Sequence, residues 1–137
     1  MDCLFCAIVA GDVPSTKVYE DDLTYAFMDI APASEGHCIV VPRNHTRDIL
    51  EIGPTDLHAV VDAGQRLAHR VTEVLGADGV NLLNNRGATA WQSVFHFHLH
   101  VIPRYADDPA RDRLSLPWEP TPGDPSAIAA AAAKIAL

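Results

Sequence analysis

The chain has 137 residues, the size of one domain, so a single unit spanning 1–137 with one reaction site is expected and a multidomain machine is excluded. An apolar fraction of 48% with 20% charged residues is too hydrophobic for a disordered chain and too mixed for a fibre. Ten basic against eighteen acidic side chains give a formal net charge of −8, which opposes binding to a nucleic-acid polymer but leaves room for a small anionic ligand in a local site.

At the start, Met1-Asp2-Cys3 lacks the basic-then-apolar order of a signal peptide, and no run of about 18 apolar residues follows anywhere, so a cytoplasmic location with no membrane partner is expected. Leu4 to Ala10 reads as one or two turns of helix ended by Gly11. Lys17 to Glu20 and Leu23 to Met28, separated by Asp21-Asp22, read as a hairpin with Leu23, Tyr25 and Phe27 on one face. Gly36 leads into His37 to Pro42, a β-branched run that proline ends, and this is the third strand.

From Leu57 the apolar positions 57, 60, 61, 64, 67, 68, 71, 74 and 75 match the helical template. Pro54 and Thr55 supply the start, and Gly76 the stop. Val80 to Asn84 is a strand, Asn85 to Ala90 a loop, and Ser93 to Pro103 the last long strand. The proline-rich stretch from Asp107 to Pro125 is expected as surface loop, and Asp124-Pro125 opens an alanine-rich helix, Ser126 to Leu137, too short to stand free in water and so expected to dock. No strand pair is joined by a repeating helical crossover. The fold class is therefore α+β, with five strands in a mainly antiparallel sheet, one long helix, a short N-terminal helix and a C-terminal helix.

The chemistry concentrates in Val94-Phe95-His96-Phe97-His98-Leu99-His100-Val101-Ile102, which alternates without error. Side chains of a strand reverse at each residue, so His96, His98 and His100 share one face, about 7 Å apart between neighbours, while Phe95, Phe97, Leu99 and Val101 fill the other. A solvent-facing polar stripe would use threonine, lysine or serine. Two chemical readings remain: several imidazoles bind a metal, or one attacks phosphorus while its neighbours stabilise charge and move protons. Spacing alone does not separate them.

Cys3-x-x-Cys6 supplies half of a tetrahedral zinc site, for which two histidines would complete the set; a redox pair and two small buried apolar residues are the alternatives. Cys38 reads as core. His58 and His69 lie outside the apolar stripe of the long helix and read as surface.

His96-Phe97-His98-Leu99-His100-Val101-Ile102 matches the H-φ-H-φ-H-φ-φ signature of the histidine triad proteins, with φ apolar. The segment from Gly36 to His45 resembles that family's G-H-x-φ-φ-φ-P-x-x-H run, and Asp29-Ile30-x-Pro32 and Gln92-Ser93-Val94 fall where the family has them. The similarity runs from Cys3 to about Tyr105, leaving 106–137 as an extension.

The resemblance is to the nucleoside phosphoramidate hydrolase branch, and it implies a homodimer that binds purine nucleotides. It implies that His98 is the nucleophile on the α-phosphorus, that His100 and Ser93 contact the phosphate and leaving group, and that His37 helps hold the phosphate. Asp29 would accept hydrogen bonds from the ribose, and Phe27, Ile30, Gln92 and Asn85 would line the nucleotide pocket. Relatives with an N-terminal C-x-x-C hold zinc with the equivalents of Cys3, Cys6, His45 and His96. Trp91 stands where that branch has glycine, so a changed pocket shape is expected, and Trp118 is a candidate contact in the unaligned tail. Rival readings are a dinucleoside polyphosphate hydrolase or nucleotidyl transferase of the same family, a nucleotide-binding scaffold, and an unrelated hydrolase with one catalytic zinc on all three strand histidines.

Overall fold

The computed structural model describes residues 2–115 and 120–137, so the candidate contact Trp118 lies outside the described residues. Helix α1 (Leu4–Ala10) is capped by Cys3, whose sulfur accepts from the Cys6 N–H, and Gly11 ends it at φ 84, as its position predicts. Strands β1 (Lys17–Glu20) and β2 (Thr24–Met28) form the hairpin. The Asp21 carboxylate takes the N–H groups of Leu23 and Thr24, so β2 opens at Thr24 and not at Leu23. Strand β3 (Cys38–Pro42), helix α2 (Pro54–Leu75), strands β4 (Gly79–Leu83) and β5 (Leu99–Arg104) and helix α3 (Pro125–Ile135) complete the chain. The five strands lie in the order β1-β2-β3-β5-β4, and every neighbouring pair is antiparallel.

Strand alternation divides the core. On one face Val60, Ala63 and Leu67 of α2 pack against Ala26, Cys38, Val40, Leu99 and Val101. Gly64 permits that approach, because a Cβ there would stand 2.8 Å from Leu99 Cδ2. On the other face Phe5 and Ile8 of α1 cover Phe27, Ile39 and Val41. The central strand β3 is therefore buried on both sides. The face of α2 that meets the sheet runs through 60, 63, 64, 67 and 71, narrower than the apolar pattern: Val61 and Val74 are exposed, and Ala63 is core.

Two expectations are corrected. The segment from Ser93 is not one strand, because the ladder begins at Leu99. Upstream the backbone groups have other partners: the Phe97 N–H donates to Thr46 O at 2.7 Å, the His96 carbonyl takes the His98 ring, and the Val94 carbonyl takes the Gln92 side chain. Phe95, expected with the core, is accordingly exposed, with the Arg47 guanidinium 5.2 Å from its ring centroid. Helix α3 spans Pro125–Ile135, not Ser126 to Leu137; every residue of it is exposed, so no surface among the described residues covers it, and Asp124 caps it by accepting the Ala127 N–H. The described part of the tail, up to Ser115, is a surface loop as expected, and its backbone also bonds to residues 33–35, with Arg113 N–H donating to Ala33 O at 2.9 Å.

Phe97 (2% exposed) and Phe95 (41%) separate the continuous-strand expectation from the observed path. Phe97→Ala is expected to cost about 3–5 kcal/mol in urea unfolding and Phe95→Ala less than about 1 kcal/mol. Equal losses would contradict the bend before β5.

Candidate functional site

Helix α1 with its cap, the loop after β3 and the segment entering β5 converge. There the Cys3 and Cys6 sulfurs and the Nδ1 atoms of His45 and His96 lie within 4.8 Å of one another. The His45–His96 nitrogens are 3.2 Å apart, and the sulfur–nitrogen separations are 3.4 Å for Cys3–His96, 3.3 Å for Cys6–His45 and 3.5 Å for Cys6–His96. A zinc tetrahedron with bonds of about 2.05 Å to nitrogen and about 2.3 Å to sulfur has N···N edges of about 3.3 Å and S···N edges of about 3.6 Å, so the four atoms stand at the spacing of such a shell. The His96 Nε2 lies 2.9 Å from the Pro42 carbonyl, which can only accept, so Nε2 carries the proton and Nδ1 offers its lone pair to the cluster.

The same logic fixes the other rings. His98 Nδ1 is 2.7 Å from the His96 carbonyl and must donate, which leaves Nε2 with a free lone pair. The Ala33 N–H donates to His37 Nδ1 at 3.0 Å, so His37 carries its proton on Nε2, 2.9 Å from His100 Nδ1. His100 accepts there and bears its own proton on Nε2. Asp29, His37 and His100 also bring ligand atoms within 4.8 Å, but the His37 proton already occupies that space and the Ala33 N–H blocks the other tautomer; the trio is a hydrogen-bond relay. The three strand histidines thus have three different partners and do not converge on one ion.

Burial keeps these rings neutral. It lowers the pKa of His96, His98 and His37 below the ordinary imidazole value, and for His37 the Asp29 carboxylate, 3.4 Å away, pulls the other way. For His100 burial, with His98 and His37 adding to it, pushes the value down to about 4. Phe5 stands edge-on to His98 at 5.0 Å between centroids and to His96 at 6.0 Å, closing the apolar side of both rings.

A cavity of about 300 Å³ opens onto His98 and His100 and is lined also by Ser93, Asp29, Phe27 and Ile30, six of the residues singled out from the sequence. His37 lies behind His100 with both ring nitrogens engaged. Gln92 and Asn85 are buried and are not among the lining residues; the Gln92 carboxamide is used up on the Gly87 N–H and the carbonyls of Arg47 and Val94. Trp91 adopts φ 70 and ψ 19, the left-handed geometry that glycine takes without strain, and its indole is 69% exposed and outside the lining.

Four contributors escaped sequence reasoning. Asn84 Nδ2 donates to the His98 carbonyl at 2.9 Å; the carbonyl of Pro42, the N–H of Ala33 and the ring of Phe5 do the rest. Two of these are backbone groups, which leave no trace in residue type, and Asn84 next to Asn85 offered no basis for choosing between them.

A sequence profile of the HIT domain matches residues 10–107. The chain is 42% identical over 104 residues to the protein called "Protein hit" from Bacillus subtilis, covering 76% of this chain and 72% of that one. It is 36% identical over 130 residues to adenosine 5'-monophosphoramidase hnt1 from Schizosaccharomyces pombe, covering 95% and 92%. Among solved structures, a zinc-bound histidine triad family protein from Mycobacterium smegmatis superposes with a TM-score of 0.78 at 42% identity, over 88% of this chain and 85% of that one.

A ring held neutral by the fold takes up a proton on unfolding, so the unfolded chain binds more protons wherever the pH lies between the folded value of about 4 and the ordinary 6.5 of His100. Stability is fully present above that window and falls as pH drops through it. The urea midpoint is expected to decline more between pH 7 and pH 5 in the wild type than in His100→Gln; parallel declines would show that His100 is not held neutral.

Proposed function

The chain belongs to the HIT domain family, and from that premise we propose that it hydrolyses the phosphorus–nitrogen bond of purine nucleoside phosphoramidates through a covalent nucleotidyl–His98 intermediate. The observation that carries this reading is the His98 tautomer: a neutral imidazole, its Nδ1 proton tied to the His96 carbonyl, presenting an unprotonated Nε2 at a cavity wall. The name of the fission-yeast relative, a monophosphoramidase, supports the choice of bond.

In this mechanism the apolar wall of Phe27 and Ile30 receives the nucleoside, and Asp29 accepts from the ribose hydroxyls. His98 Nε2 forms a bond to the α-phosphorus as the bond to the amine nitrogen breaks, and that nitrogen leaves after taking a proton from solvent by way of the exposed Ser93 hydroxyl. The His100 Nε2–H meets the charge that grows on the phosphoryl oxygens, a preorganised donor of the kind worth a few kcal/mol. His37 serves by holding the His100 tautomer. Water then displaces Nε2 and gives its proton to solvent, releasing the nucleoside monophosphate and the neutral ring. Two displacements at one centre spare the site from aligning amine and water together.

We also take Cys3, Cys6, His45 and His96 to hold a structural zinc ion, which the tetrahedral spacing of the donors and the zinc-bound neighbour support. When bound, zinc ties α1 to the loop after β3 and to the segment entering β5. Two copies forming a homodimer is part of the reading, supported by the unpaired edge of β4 and by exposed Leu82 on it. No helix among the described residues is long and apolar enough to cross a membrane, and Cys3 and Cys6, which form no disulfide, suit the reducing cytoplasm.

Mass spectrometry of enzyme quenched with an adenosine phosphoramidate is expected to show an adenylylated peptide containing His98, and His98→Ala to lower kcat by about 10³-fold or more. Undiminished turnover in that variant would falsify the nucleophile assignment. Metal analysis is expected to find about one zinc per chain, lost in the Cys3→Ser, Cys6→Ser double variant together with a lower melting temperature. Retention of zinc by the double variant would refute the four-ligand set.

A further inference from the structure

The tail segment between Asp107 and Ser115 carries no recognisable motif, yet it is built into the loop that bears Asp29 and His37. Asp112 organises it: Oδ2 accepts from Arg104 Nε at 2.8 Å and from the Tyr105 N–H at 3.0 Å, and Oδ1 accepts from the Leu114 N–H at 3.1 Å. Arg111 fastens the near end, its guanidinium lying 3.8 Å from the Tyr105 ring centroid and donating to Glu35 Oε2 at 2.6 Å and to Leu75 O at 2.8 Å.

So held, the segment lies alongside residues 33–35. Arg113 N–H donates to Ala33 O at 2.9 Å, Glu35 N–H donates to Arg111 O at 2.7 Å, and Ser34 faces Asp112 across an isolated antiparallel bridge. Tyr105 secures the same stretch from β5's end, its hydroxyl donating to Glu35 O at 2.7 Å. Ala33 is where this scaffold touches the site. Its carbonyl is fixed by Arg113, and its N–H donates to His37 Nδ1.

That last bond decides where the protons sit on two rings. With Ala33 N–H on Nδ1, His37 must carry its hydrogen on Nε2; His100 Nδ1 must then accept, and the His100 hydrogen must point from Nε2. If Ala33 drifts, the Asp29 carboxylate 3.4 Å from Nε2 is the one remaining group that favours the proton there, the Nδ1 tautomer becomes reachable, and the His100 donor is less firmly specified. The two neutral tautomers of a free imidazole differ little in energy, so a single fixed N–H is enough to choose between them.

We propose that the 108–114 segment is a positioning element for the reaction site and that Asp112 is its positioning residue, acting through Ala33 and His37 on the proton-bearing nitrogen of His100. The inference rests on the reading of His100 as the donor to the phosphoryl oxygens for its consequence in catalysis, but the structural part of it is read without substrate.

The experiment is long-range ¹H–¹⁵N correlation of the histidine side chains in the full chain, wild type against Asp112→Ala, with kcat measured on the same samples. The wild type is expected to show His37 and His100 both protonated at Nε2. Asp112→Ala is expected to show an averaged His37 and a His100 no longer held at Nε2–H, unchanged His98 signals, and kcat lower by about tenfold. Asp112→Glu, which keeps the carboxylate, is expected to recover part of both. Arg111→Ala loosens the same segment from its other end and serves if Asp112→Ala does not fold; the same averaging is expected there. Wild-type tautomers in a folded variant, even one with a lower melting temperature, would reduce the segment to a merely structural role and overturn the proposal. Shifted tautomers in a chain whose wild type has no turnover would uphold the positioning and overturn the proposed reaction instead.

Discussion

An imidazole can offer a lone pair at one nitrogen only while the other keeps its proton, and in this chain that demand falls on the 2.7 Å hydrogen bond from His98 Nδ1 to the His96 carbonyl. The acceptor belongs to a residue that is itself pinned twice, by Nε2 to Pro42 O and by Nδ1 within the Cys3, Cys6 and His45 cluster. The His98 carbonyl is held in turn by Asn84. A metal in the cluster would therefore brace His98, the proposed nucleophile, through backbone rather than through space. Each of the three histidines in this short run has its ring orientation set by a different fixed group, so the similarity of their positions does not make their environments similar.

The proposed reaction would have the site handle an anion without a cation. The chain carries a formal net charge of −8, and no lysine or arginine lines the cavity among the described residues. Its donors are neutral N–H and O–H groups, kept neutral by burial that lowers the histidine pKa values. Neutral, aimed donors respond to the charge that develops during displacement, and their worth depends on staying aimed. Orientation is thus the quantity this fold has to protect, which is why so many of its polar contacts end on histidine nitrogens or on the carbonyls beside them.

The period-two pattern from Phe97 to Val101 correctly put His98 and His100 on the face opposite the core, since residues of β5 alternate between α2 and the cavity. Extending that pattern back to Ser93 failed, because alternation of residue types cannot register where backbone N–H and carbonyl groups find partners. Thr46, Gln92 and the His98 ring claim those groups before β3 can. The long helix was readable from its spacing and its glycine stop, but a sheet contacts only a narrow stripe of it, so Val61 and Val74 stayed outside. The cysteine pair suggested a metal from spacing alone, whereas the two histidines that join it come from 39 and 90 or more residues away, a closure that only the resemblance indicated. The roles of Ala33 and Pro42 lie entirely in backbone atoms, and no side-chain pattern encodes them.

Trp91 is the place where local propensity and the site disagree. A bulky residue at φ 70 costs about 1–3 kcal/mol relative to an unstrained conformation, and such strain persists only where neighbours over-determine it. Here the neighbour is Gln92, whose carboxamide binds the Gly87 N–H on one side of the turn and the carbonyls of Arg47 and Val94 on the other. These three bonds close the loop on itself and leave the turn at Trp91 little choice of backbone angle. The strain is then offset by a buried, fully satisfied amide rather than by any contact of the indole, which points to solvent. Ser93, next in the chain and part of the cavity lining, inherits a fixed starting point, so Gln92 bears on the cavity only through the loop geometry it enforces.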